Sequence, residues 1–91
     1  MSTLLIGYDL NNQKNYDGLI ESIKSLGKWW HYLDSTWLVV TTQTPKEVRD
    51  RLNAYLDSDD ELLVIDVTGR SRAWNGGFVE SAQNWLSNTY E

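Results

Sequence analysis

Lys28-Trp29-Trp30-His31-Tyr32-Leu33-Asp34-Ser35-Thr36-Trp37-Leu38-Val39-Val40-Thr41-Thr42 is the stretch that decides the fold. Its aromatic and β-branched density predicts two strands, Lys28–Leu33 and Thr36–Thr42. Only Asp34-Ser35 separates them, so they form an antiparallel hairpin. In the first arm, alternation puts Trp30 and Tyr32 on one face and Trp29, His31 and Leu33 on the other. In the second arm, Trp37-Leu38-Val39-Val40 has no polar alternation. That is the pattern of a strand covered on both faces.

Upstream of the hairpin stands a second run of this kind. Thr3–Asn12 reads Thr-Leu-Leu-Ile-Gly-Tyr-Asp-Leu-Asn-Asn, and Leu4–Asp9 is its strand. Asp9 comes just past the apolar run, at the rim of the sheet. Leu10–Asn15 is a polar connection rich in turn-forming Asn. Tyr16, Leu19, Ile20, Ile23 and Leu26 then recur at i, i+3, i+4, i+7 and i+10, which predicts a helix over Tyr16–Leu26. Asn15 is its N-cap, Asp17 complements the dipole in the first turn, and Gly27 is the stop.

Downstream, Thr44-Pro45-Lys46-Glu47 gives a capping Thr, a Pro at the first helical position and a Glu at N3. Val48, Leu52, Tyr55 and Leu56 make the buried face of that helix. Asp57-Ser58-Asp59-Asp60-Glu61 ends it as a solvated turn, since the run lacks the spacing and glycine of a calcium loop. Leu62–Val67 is a fourth strand, and Thr68–Gly77 a loop carrying Arg70, Arg72, Trp74 and two adjacent glycines. A last helix covers Phe78–Asn88, with Phe78, Val79, Ala82, Trp85 and Leu86 as its apolar stripe.

The order β-α-β-β-α-β predicts a ferredoxin-like α+β sandwich: a four-stranded antiparallel sheet, two helices on one face, and an extra C-terminal helix. Right-handed crossovers put strands one and three in the centre and strands two and four at the edges. Strand four is strongly apolar for an exposed edge. Either the C-terminal helix covers it or a second subunit does, and a homodimer is the expectation.

The 91 residues make one domain, 1–91. A chain this short buries about 60–65% of the surface it exposes when unfolded. Five Trp and five Tyr supply large rings, more than one small core holds, and that points again to a subunit interface. There is no Cys and one His, which argues against disulfides and against a zinc site within one chain. No stretch reads as a signal peptide or as a membrane helix, so the expectation is a cytoplasmic chain with no membrane partner. The net charge of −5 disfavours unspecific nucleic-acid binding.

Leu5-Ile6-Gly7-Tyr8-Asp9-Leu10, Asp34-Ser35-Thr36-Trp37-Leu38-Val39 and Leu62-Leu63-Val64-Ile65-Asp66-Val67-Thr68-Gly69 give the chain a further likeness. It resembles the small ferredoxin-fold CRISPR-associated adaptation protein, the VapD-like ribonucleases and, over most of residues 3–77, short bacterial and phage proteins labelled SinR-like. The resemblance implies a homodimer and a nucleic-acid ligand. It also implies a divalent metal, Mg²⁺ or Mn²⁺, between paired strand-one aspartates. Asp9 is the residue that matches, as metal ligand and catalytic group.

Two function classes follow. One is a dimeric, non-catalytic binding module for nucleic acid, nucleotide or protein, in keeping with the acidic charge, the surplus aromatics and the lack of a second catalytic motif. Its candidate site is the Thr68–Gly77 loop, with Arg70 and Arg72 for phosphate and Trp74 for stacking on a base. The other is a metal-dependent ribonuclease or nuclease using two Asp9 carboxylates, with His31 or Tyr8 as candidates for proton transfer. Trp29, Trp30 and Tyr32 are either a base-stacking face or packing. Asp66 is an oddity within an apolar strand, facing outward or paired with an arginine.

Overall fold

The two unbroken apolar runs lie side by side in the middle of the sheet, because each has side chains to bury in both directions. The computed structural model describes residues 1–11 and 16–88. Its elements are β1 (Ser2–Asp9), α1 (Asp17–Lys24), β2 (Lys28–Leu33), β3 (Thr36–Thr41), α2 (Pro45–Asn53), β4 (Glu61–Asp66) and α3 (Glu80–Asn88). The strand order is β2-β3-β1-β4, with every neighbouring pair antiparallel. This is the ferredoxin-like α+β sandwich with an added C-terminal helix.

Alternate residues of β1 and β3 feed two separate cores. Leu4, Ile6, Trp37 and Val39 face α1 and α2, where Leu19, Ile23, Val48 and Leu52 meet them, all eight fully buried. Leu62 and Val64 of β4 pack onto the same core. Trp37 fits there because its indole N–H donates to the Tyr8 hydroxyl at 3.0 Å. The opposite face is closed by α3. Trp30 and Leu38, directly paired across β2 and β3, pack with Ala82 and Leu86, and Leu5, Phe78 and Trp85 border them. The Trp30 indole N–H donates to the Ala82 carbonyl at 3.1 Å, which fixes α3 over the β2 side of the sheet.

The hairpin, the central strands and the capping box are as the sequence predicts. Thr44 Oγ1 accepts from the Glu47 N–H while Glu47 Oε1 accepts from the Thr44 N–H. Several details differ. The first helix ends at Lys24, and the Asn15 cap lies outside the described residues. Gly27 is needed less as a helix stop than for close approach: a Cβ there would stand 2.0 Å from the Val40 carbonyl oxygen. Tyr55 falls past the end of α2 and is exposed. The last helix starts at Glu80, leaving Val79 exposed in the preceding loop. Leu33 changes faces, because the β2–β3 register shifts between Trp30 and Leu33 and re-pairs Leu33 with Thr36.

Of the two ways to cover β4, the C-terminal helix is not the one used. The helix α3 packs on β2 rather than over β4. Leu63 and Ile65, on the α3 face of an edge strand, stay 56% and 43% exposed. Asp66 is not paired with an arginine. Its carboxylate accepts from the Thr68 N–H and the Thr68 hydroxyl at 2.9 and 2.6 Å, and ends the strand in a turn. Thr68 Oγ1 in turn accepts from the Thr3 N–H at 2.8 Å. This chain of bonds fixes where the loop leaves the sheet.

The bonds from Thr68 hold the Asp66 carboxyl below its ordinary pKa. A lowered pKa means the carboxylate stabilises the fold at neutral pH and loses that contribution as the pH falls through the depressed value. Asp66→Ala is therefore expected to lower the urea midpoint at pH 7, with the gap from wild type closing on acidification. A gap that stays constant down to acid pH would contradict the bonding described.

Candidate functional site

Residues 67–78 leave β4 at the Asp66–Thr68–Thr3 junction and cross the α3 face. Between this loop, the sheet and α3 lies a cavity of about 490 Å³. Its floor is apolar: Leu5 of β1, Trp30 and Leu33 of β2, and Leu38 of β3, with Phe78 and Leu86 at the α3 side. The loop supplies Arg70, Arg72 and Trp74. The three loop residues singled out in the sequence thus come together around one space. The volume is in the range of small-molecule sites, roughly 300–1,000 Å³.

The two arginines are not equivalent. The Nε–H of Arg72 donates to the Leu86 carbonyl at 2.5 Å, in the last turn of α3. A cation there meets carbonyls that the helix leaves without intrahelical partners, and it complements the negative end of the dipole. Arg72 is thus tied to α3. Arg70 donates its backbone N–H to the Val67 carbonyl, and no carboxylate among the described residues pairs with its guanidinium. Trp74 lines the cavity with about a third of its surface exposed, rather than plugging the core.

Asp9 lies elsewhere. It is the exposed last residue of β1, directly opposite Glu61 on β4. It borders a shallow depression with Gly7, Leu62 and Leu63 that shares no residue with the cavity. Glu61 is the neighbour that sequence reasoning missed, because only the strand register reveals it. Tyr8, one residue earlier, points to the opposite face, where its hydroxyl receives the Trp37 indole. His31 is also on that face. Its ring stacks on Trp37 at 3.7 Å between centroids and 10° between planes, and Nε2 lies 3.1 Å from the Asp34 carbonyl oxygen. His31 is not brought to Asp9, and Tyr8, which borders the same depression, has its hydroxyl bonded to the Trp37 indole.

The acidic run forms a turn. Asp57, Asp59 and Asp60 bring carboxylate oxygens within 4.8 Å of one another. The Asp60 oxygens are engaged by the Tyr16 hydroxyl and by the Asn11 and Asp57 N–H groups, and Asn11 Nδ2 donates to the Asp59 carbonyl. The run therefore ties the end of β1 to the start of α1 and the approach to β4. Of the aromatic face, Trp30 is packing. Trp29 lies on the helical side, 5.4 Å from Trp37, with Lys24 Nζ 5.1 Å from its ring centroid. No helix among the described residues is long and apolar enough to cross a membrane.

No family model matches the chain. In architecture it is similar to the crystal structure of a hypothetical protein, TT1823, from Thermus thermophilus. The TM-score is 0.64 with 20% sequence identity, covering 86% of this chain and 95% of the other. That likeness is one of fold.

Proposed function

We propose that this chain is a non-catalytic binding module acting as a homodimer, allied to the ferredoxin-fold CRISPR-associated adaptation, SinR-like and VapD-like proteins that its sequence resembles. Its binding site is the cavity between the sheet, the 67–78 loop and α3. The observation that carries the reading is the makeup of that cavity: an apolar floor of Leu5, Trp30 and Leu38 with Arg70, Arg72 and Trp74 above it. Few convergent polar groups over an apolar floor are the usual form of a binding site. The neutral apolar dye Nile red is expected to bind the full chain saturably, one per chain, with affinity several-fold weaker in Trp74→Ala. No saturable binding would contradict the reading.

The dimer is supported by β4. It is an edge strand with unpaired backbone groups, and Leu63 and Ile65 beside that edge are left uncovered. Pairing with a second β4 would satisfy the backbone and bury both side chains. Light scattering at micromolar concentration is expected to give twice the chain mass for wild type and the chain mass for Ile65→Lys. A wild-type monomer would contradict the dimer.

A second reading is favoured by Asp9 and Glu61, two exposed carboxylates facing each other across β1 and β4. Oxygen ligands of this kind suit Mg²⁺ or Mn²⁺. They are the residues that would hold the ion in a metal-dependent ribonuclease. When bound, such an ion polarises phosphate oxygens and acidifies water. In that case Asp9→Ala loses RNA cleavage in Mg²⁺ or Mn²⁺ by a hundredfold or more, whereas equal activity in both proteins removes the reading.

A further inference from the structure

We infer that the cavity beneath α3 takes a small organic anion with a flat apolar body, anchored by the Arg70 guanidinium. This rests on the proposal that the cavity is the binding site and adds the chemical class of its occupant.

The chain carries 13 acidic residues against eight basic ones, yet none of the described residues lining the cavity is acidic, and two are arginines. The cavity is thus a basic enclave in an acidic protein, and the surrounding field disfavours long polyanions while leaving a local anion site. Arg72 has its Nε–H on the Leu86 carbonyl, which ties that cation to the last turn of α3 at the cavity wall. The nearest carboxylate in sequence to Arg70, Asp66, is spent on Thr68. Arg70 therefore meets no competing acid among the described residues, and its planar fork suits a carboxylate or phosphate.

Shape and lining set the remainder of the ligand. A space of about 490 Å³ holds a molecule of small-metabolite size rather than a folded partner. Trp74 and Phe78 line it with aromatic rings, and Leu5, Leu38 and the buried Trp30 supply its apolar floor. Aromatic side chains favour stacked or edge-on contact with planar groups. An aryl carboxylate and a nucleoside monophosphate share this chemistry.

Isothermal titration of the full chain distinguishes the sources. The probes are 2-naphthoate and adenosine 5′-monophosphate, with their neutral counterparts 2-naphthalenemethanol and adenosine, against wild type and Arg70→Ala. Arg70 is exposed and lies in the loop outside every helix and strand, so the substitution leaves the fold in place. The expected result is that at least one acid binds about tenfold or more tighter than its neutral counterpart. Arg70→Ala is expected to erase that preference by weakening the acid about tenfold more than its neutral counterpart. Preference for naphthoate alone assigns carboxylates, and preference for the nucleotide alone assigns phosphates. Acids that bind no tighter than neutral probes, or a preference that survives Arg70→Ala, overturn the anion assignment while a saturable Nile red site leaves the binding reading intact. Failure of all four probes and of Nile red overturns both.

Discussion

Burial of β1 and β3 on both faces is the constraint on which the rest of the structure depends. Their alternate side chains point to opposite sides of one sheet, so a single helical layer cannot satisfy them. The α1–α2 layer takes Leu4, Ile6, Trp37 and Val39. Without a second layer, Leu5 and Leu38 would lie open to water, at a cost of roughly 1.5–3 kcal/mol for each large apolar side chain left exposed. The helix α3 is that second layer, held by the Trp30 indole and by Arg72 at its C-terminal turn.

The second layer is incomplete. One nine-residue helix cannot cover a four-stranded face, and its anchor to Trp30 draws it toward β2. Two consequences follow from that offset. Over β1 and β3, the space between sheet, loop and α3 becomes a cavity. Over β4, Leu63 and Ile65 are left bare on an edge strand. The binding proposal and the dimer proposal thus have one structural origin, the partial coverage of a face whose opposite side α1 and α2 close over β1 and β3.

Much of this was legible in the sequence because it is local. Unbroken apolar runs mark Leu4–Ile6 and Trp37–Val40 as central. Two residues between strands force a hairpin, and Thr44-Pro45-Lys46-Glu47 announces α2. What was not legible depends on long-range placement. A register shift in β2–β3 turned Leu33 to the other face, against strict alternation. Tyr55 and Val79 kept helical spacing but fell outside their helices. The loop composition marked Arg70, Arg72 and Trp74 as a group. Which face the loop crosses follows from the Asp66–Thr68–Thr3 bonds, and these join residues 65 positions apart. The opposition of Asp9 and Glu61 likewise exists only in the register of β1 against β4.

The sheet has a core closed by α1 and α2 on one face and an accessible cavity on the other, and different tryptophans report on the two. The most direct measurement is the indole N–H resonances of the labelled protein as a cavity ligand is added. The Trp30 and Trp74 signals are expected to shift with a common saturation curve while the Trp37 signal, bonded to Tyr8 in the closed core, stays in place. Equal movement of Trp37, or no movement of Trp30 with the ligand bound, would contradict it.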